Sequence, residues 1–304
     1  MKLSPRNIIP WIFLLFSFYC NSLNAQNVAT SYDNQWKLVE DRITKNLPKS
    51  ALEEVKKIYD KAKAEKKDDQ LIKAVVYMSK LQEENREMNQ ILSIQDLEKE
   101  IAGSSEPAKS IFTSLLATSY YRYLQNNRWK LYQRTSTNDF KKEDLATWSS
   151  EELHAKISAL YLLSLQNEAL LKNSKLNDFE AIIIEGNARK LRPTLFDLLA
   201  FKALDYFSSN ERDIKKPAYA FEINDDAAFS PATSFSKHKF ETRDTSALEY
   251  KALHIYQRLL DLHATDQEPD ALIDTDIHRL QFVKEKSTHP DRDKLYYNAL
   301  KKIS

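Results

Sequence analysis

The chain has 304 residues and carries 45 Lys and Arg against 44 Asp and Glu. Interspersed charge of both signs, close to neutral overall, argues against nucleic acid, which rewards clustered positive charge. Only two glycines occur, Gly103 and Gly186. That is too few for phosphate-cradling loops or dinucleotide fingerprints, which need several at fixed offsets so that backbone can approach the ligand closely.

Residues 1–25 have the layout of a secretory signal peptide. Lys2 and Arg6 supply a positive start, residues 8–19 an apolar run, and Leu23-Asn24-Ala25 a small-residue cleavage site before Gln26. The run is shorter than the roughly 20 apolar residues of a membrane-spanning helix. Cleavage after Ala25 removes two cations and leaves 43 basic residues against 44 acidic ones. It also removes Cys20, the single cysteine. The mature chain then has no disulfide, thiol nucleophile, thiolate zinc site or thioester. Lipoprotein anchoring through Cys20 is the rival reading, but Phe18-Tyr19 stand where such a signal places small residues. The expected location is the periplasm or cell envelope, with no stable membrane span after cleavage.

Apolar residues then recur at helical spacing. Tyr32, Trp36, Val39 and Ile43 mark a first helix, ended at Leu47-Pro48; Leu52, Val55, Ile58 and Ala62 mark a second, running into a polar connection over residues 63–69. Leu71, Val75, Met78 and Leu81 mark a third helix, and Ile91, Ile94, Leu97 and Ile101 a fourth, stopped at Gly103. Pro107 suits the first turn of a fifth, carrying Ile111, Leu115, Tyr120 and Leu124. Residues 126–149 are less periodic and rich in aromatics, and read as a helix end followed by an ordered loop. Ser149/Glu152 and Thr194/Asp197 have capping-box spacing, as does the Ser246/Glu249 restart. Residues 208–245 hold Pro217, Pro231 and spaced aromatics, which predicts a long loop docked on the surface rather than a free linker. Helices after Pro269 and Pro290 complete the chain, and the last reads as cut at Ser304 rather than capped.

The expectation is an all-α protein: an irregular helical-hairpin, tetratricopeptide-like array or α-solenoid with one long ordered loop. The division is residues 1–25 signal peptide, 26–207 helical hairpins, 208–245 aromatic and proline-containing loop, and 246–304 C-terminal helices, truncated.

No catalytic, cofactor-binding or metal residue is assigned. None of the six histidines has a second histidine at i+4. Asp274, Asp276 and His278 are the best metal candidate, yet their i, i+2, i+4 spacing scatters ligands around a helix axis, so an exposed helix start is the reading. The acidic pairs Glu53-Glu54, Glu83-Glu84 and Glu151-Glu152 sit beside lysines and read as solvated helix surface. Arg189, Lys190 and Arg192 form a basic cluster before Pro193, read as packing or ion pairing rather than an anion site. Trp129, Tyr132 and Trp148 offer either a ligand-stacking platform or core aromatics under a loop; the core is the default.

Four strings read together carry a family resemblance. They are Leu47-Pro48-Lys49-Ser50-Ala51; Asn127-Arg128-Trp129-Lys130 with Arg134-Thr135; Glu185-Gly186-Asn187 through Arg189-Lys190-Leu191-Arg192-Pro193-Thr194-Leu195; and Pro269-Asp270-Ala271-Leu272-Ile273-Asp274 through Arg279-Leu280. With them, most of the mature chain resembles the N-terminal helical region of bacterial alpha-2-macroglobulin family proteins of the Bacteroidetes type. The resemblance implies a helical region that normally precedes β-sandwich macroglobulin domains, in proteins associated with trapping proteases at the cell envelope. This chain departs from the pattern: no β-sandwich train or bait region can be placed, and no active residue carries over. The expected role is therefore an exported, non-enzymatic scaffold or interaction module whose partner is a protein, either the macroglobulin domains or a protease. The alternatives are a free-standing helical-repeat binding protein for peptide or glycan, and an all-α envelope enzyme acting on polysaccharide.

Overall fold

The computed structural model describes residues 32–83, 89–132, 144–183, 188–211 and 217–303. The signal peptide, Cys20, Phe140, Arg134-Thr135, Glu185-Gly186-Asn187 and Ser304 lie outside the described residues. So do Glu84 and the side chains of Glu83 and Tyr132. What is described is all-α: helices joined by turns and 3-10 segments, with only two isolated bridges, Lys175 to Thr194 and Ile223 to Ser287, in place of strands. Among these residues no helix is long and apolar enough to cross a membrane. The chain divides into two compact units, Met1–Asn89 and Gln90–Ser304.

The first unit contains α1 (residues 32–44), α2 (Pro48–Glu65) and α3 (Asp68–Glu83). Its core is the periodic set read from the sequence, with Trp36, Val39, Val55, Ile58 and Ala62 all buried. Full burial of each large apolar side chain contributes about 1.5–3 kcal/mol. Two boundaries differ from the sequence reading. Pro48 opens α2 rather than ending α1, which already stops before Asn46 turns through φ 55°; at the first helical position proline gives up no hydrogen bond. The polar connection shrinks to Lys66 and Lys67. Lys66 adopts φ 55°, and the Lys66 and Lys67 amides cap the carbonyls of Lys63 and Ala62 at 3.4 and 2.9 Å. A lysine in this conformation costs about 1–2 kcal/mol through its Cβ, which the two capping bonds offset, so no glycine marks the turn in the sequence. The Trp36 indole N–H donates to Gln70 Oε1 at 2.7 Å, and its ring lies 4.9 Å from that of Tyr77.

The second unit begins with α4 (Asn89–Gly103) and α5 (Ala108–Tyr132), then α6 (Ser150–Ser164) and the short α7 (Glu168–Asn173). It continues through α8 (Leu195–Phe207), α9 (Ala232–Phe235), α10 (Leu248–His263), α11 (Asp270–Lys286) and α12 (Arg292–Ile303). Helices α5 and α6 pack as a hairpin, as do α10 and α11. Pro107 stands just before α5, after a cis bond from Glu106, whose carboxylate accepts from the Ser110 amide at 3.2 Å.

Two of the three predicted capping boxes form. Ser149 with Glu152 opens α6, and Thr194 with Asp197 opens α8. The third does not. Ser246 donates its hydroxyl and amide to Asp244 Oδ1 at 2.6 and 3.2 Å, and α10 starts one residue later, after Ala247. A nearby carboxylate is the stronger acceptor and takes the serine for a local turn.

Helix α8 is the centre of this unit. Leu195, Phe196, Leu199, Ala200, Ala203, Leu204, Tyr206 and Phe207 are all buried, so most of its circumference faces protein. A helix apolar nearly all round must be enclosed, and α5, α6, α7 and α10 enclose it. The long loop is an ordered strap. Residues 217–247 carry a 3-10 turn at Asp226–Phe229 and the short α9, and they bury Phe229, Phe235 and Phe240.

Candidate functional site

The residues able to do chemistry are mostly committed to holding elements together. His263, on α10, is buried between two carboxylates. Its Nε2 lies 2.7 Å from Asp197 Oδ1 on α8, and its Nδ1 lies 2.7 Å from Asp266 Oδ2. Both ring nitrogens face carboxylate oxygens, an arrangement in which the imidazolium can donate to each. Burial alone would push its pKa down; the hydrogen bonds and charges of Asp197 and Asp266 outweigh that and hold it above the ordinary value. Asp197 also closes the α8 cap through Oδ2, which accepts from the Thr194 amide at 2.9 Å and the Thr194 hydroxyl at 2.7 Å. One carboxylate thus joins a helix cap to a histidine 66 residues away. Of this arrangement, sequence analysis read only the Thr194/Asp197 capping spacing.

A second buried group ties α6 to α8. His154 Nδ1 lies 2.8 Å from the Tyr206 hydroxyl, and the Tyr161 and Tyr206 rings stack at 5.6 Å. Burial pushes the Tyr161 phenol up to about 12, against the lowering effect of Thr118, whose hydroxyl lies 3.1 Å away.

Asp274, Asp276 and His278 are not brought together. Asp274 and His278 turn toward Arg192, whose Nη2 lies 3.5 Å from Asp274 Oδ2 and 3.1 Å from His278 Nε2. Asp276 points the other way, and at 5% exposure it corrects the expectation of an exposed helix start. Alternate residues on a helix are separated by about 200°, too far apart to converge. No cluster able to hold a metal ion forms among the described residues. Two members of the basic cluster, Lys190 and Arg192, are used for ion pairing, whereas the Arg189 Nη1 and Nη2 atoms are buried without a described partner. Lys190 reaches Asp270 at 3.1 Å, and the Arg192 guanidinium also lies 3.5 Å from the Phe201 ring centroid. Trp148 is buried and stacked on Tyr120 at 5.8 Å, whereas Trp129 is 82% exposed, so the two do not share a platform. Of the acidic pairs, Glu54 holds Lys57 at 2.8 Å and Glu152 closes the α6 cap.

Asp276 partners Arg279, the largest fully buried side chain described. Arg279 Nε donates to Asp276 Oδ1 at 2.8 Å, Nη1 to the Ala228 carbonyl at 2.5 Å and Nη2 to the Ser230 carbonyl at 3.0 Å. The guanidinium also lies 4.4 Å from the centroid of Phe235. This arginine pins the strap to α11. Further along, the Ser287 hydroxyl and Thr288 amide donate to the Ile223 carbonyl at 2.7 and 3.0 Å. His289 meets Asp226 at 2.9 Å, and Gln257 on α10 donates to the carbonyls of Phe235 and His238 at 2.9 and 2.6 Å. Sequence reasoning found the docked loop but not these anchors, because each joins residues 19 or more positions apart.

Between two stretches of the strap lies an open groove of about 640 Å³, lined by residues 218–225 and 238–243. Tyr219, Glu222 and Asp225 stand along one side, and Lys239, Glu241 and Arg243 along the other. His238 bridges to Asp225 at 3.0 Å. A second cavity of about 220 Å³ lies under α12, where Leu272, Ile273 and Ile303 line it with Asp276 and Arg279. Comparison with known proteins gives no matching family model, no matching curated relative and no matching solved structure.

Proposed function

We propose that this chain is an exported, non-enzymatic helical scaffold that works by contact with another protein, and that it corresponds to the N-terminal helical part of an alpha-2-macroglobulin-like protein. The observation that carries the reading is the strap: a surface segment fastened at Arg279, Ser287, His289 and Gln257 so that it frames an open groove. A rigid frame lowers the entropy lost when a partner docks. Meanwhile the side chains suited to acid–base work, His263, Asp197 and His154, are spent on joining helices. Export rests on the charge and apolar layout of residues 1–25. The family assignment rests on the four strings, two of which meet in space through Lys190 with Asp270 and Arg192 with Asp274.

The test has two arms. Intact mass spectrometry of the chain recovered from a bacterial envelope fraction should show loss of residues 1–25, and a photo-crosslinker at Tyr219 should give one saturable protein adduct. Retention of the leader inside the cell defeats the export part. Turnover of envelope polysaccharide by the purified chain, abolished by a single substitution in the groove, would replace the scaffold reading with an enzyme.

A further inference from the structure

The groove walls carry backbone with unused hydrogen-bonding capacity. Residues 220–225 and 238–242 belong to no helix, and the one turn bond within them runs from the Asn224 amide to the Glu222 carbonyl at 3.1 Å. Along the second stretch burial alternates: Lys239, Glu241 and Arg243 are exposed, Phe240 and Asp244 are buried, and His238 and Thr242 lie between. On the facing stretch Glu222 and Asn224 are exposed around buried Ile223. This period of two is that of a β-strand with one face on a core. Yet no described group accepts from the backbone N–H of Phe221, Glu222, Lys239, Phe240, Glu241 or Thr242. Two strand-like segments therefore flank a gap and lack the ladder that would ordinarily satisfy them.

We infer that this groove receives an extended segment of a partner protein, which adds to the strap as a β-strand along residues 239–243. The inference rests on the interaction-module reading and specifies its partner. Main-chain pairing supplies the affinity in this mode of recognition, and alternating side-chain positions supply the selectivity. Inward side chains of the guest meet the part-exposed Phe221, with Ile223 and Phe240 already buried beside it, so an apolar side chain fits there. Outward ones pass between acidic Glu222 and Asp225 on one wall and Lys239 and Arg243 on the other, so they are polar. A mouth of opposed charges suits a polar peptide and disfavours a polyanion. The stretch from 239 to 243 pairs with about five residues, a length of roughly 17 Å at strand rise. Alternating Lys, Glu and Arg on the edge also discourages a second copy of this chain from pairing there, since like charges would face one another.

The experiment is selection of a displayed library of random linear octapeptides on the full chain, followed by binding to two variants. Glu241 is exposed and its amide is unpaired. Glu241→Pro therefore removes a donor and obstructs the edge without opening the core, whereas Glu241→Ala keeps the main chain unchanged. Expected are peptides with period-two apolar patterning, at least a tenfold loss of affinity in Glu241→Pro, and near-full affinity in Glu241→Ala. Amide exchange of residues 239–242 should slow on binding, with the melting temperature of free Glu241→Pro matching the parent. Enrichment of no peptide overturns the inference, as does enrichment of peptides that Glu241→Pro binds normally. Slowing of the same amides by an envelope oligosaccharide, with none by peptide, overturns it in favour of a glycan. A Tyr219 protein adduct that survives Glu241→Pro would leave the scaffold reading standing while removing this one.

Discussion

Replacing Arg279 with methionine is the sharpest probe of how the strap is held. The side chain is fully buried, and the substitution keeps much of its volume while removing three hydrogen-bonding arms. It leaves Asp276 as a buried carboxylate without its cation and leaves the Ala228 and Ser230 carbonyls without their donors. Removing one partner of a buried pair costs about 3–5 kcal/mol, and each unmet buried carbonyl adds to a cost of about 1–3 kcal/mol. The lower ends of these ranges together give an expected loss of about 5 kcal/mol. For a unit of this size it lowers the melting temperature by about 10–20 °C. Burial raises the Asp276 pKa even with Arg279 beside it, against that arginine's lowering effect, and burial also lowers Arg279. Without the arginine the carboxyl takes a proton more readily still, so the deficit relative to the parent should shrink as pH falls. Adding Asp276→Leu to Arg279→Met should recover the buried-charge part and leave the carbonyl part. Thermal melts of the four members of that cycle, with amide exchange over residues 226–235, measure both. A single-variant loss below about 1 kcal/mol, or a double variant no more stable than Arg279→Met, would refute the account of Arg279 as the strap's electrostatic pin.

Two further outcomes follow from the α8–α10 junction. The raised pKa of His263 means the folded state holds its proton more tightly than the unfolded chain. Its stabilisation is full below the unfolded value of about 6.5 and is lost as pH rises through the higher folded value. The melting temperature should therefore fall between neutral and alkaline pH, with a flatter profile in His263→Gln; parallel profiles would show that the histidine is neutral. Thr194→Ala should cost about 1–2 kcal/mol as a lost cap, and it should change the His263 titration followed by ring-proton NMR, because Thr194 and His263 share Asp197. An unchanged titration would separate the two.

Much of the helical architecture was legible because it depends on local periodicity. Trp36, Val39, Val55, Ile58 and Ala62 repeat at helical spacing and are all buried. Two capping boxes were readable because cap and acceptor lie three residues apart. Local rules failed where a neighbour offered a better bond, as when Asp244 takes Ser246 from its cap. They failed too at Lys66, where a lysine rather than a glycine takes the left-handed turn.

What the sequence alone determined is the helical class and the docking of an aromatic loop. Those follow from spacing, and spacing is local. Tertiary structure decided which charged residues became structural: His263 against Asp197, Arg279 against the Ala228 and Ser230 carbonyls, Arg192 against Asp274. It also decided that two strap segments would face one another across a groove with their amides unpaired. Each such partnership joins positions tens of residues apart, and its energy comes from desolvated charge and buried backbone, which exist only once the chain has closed around them.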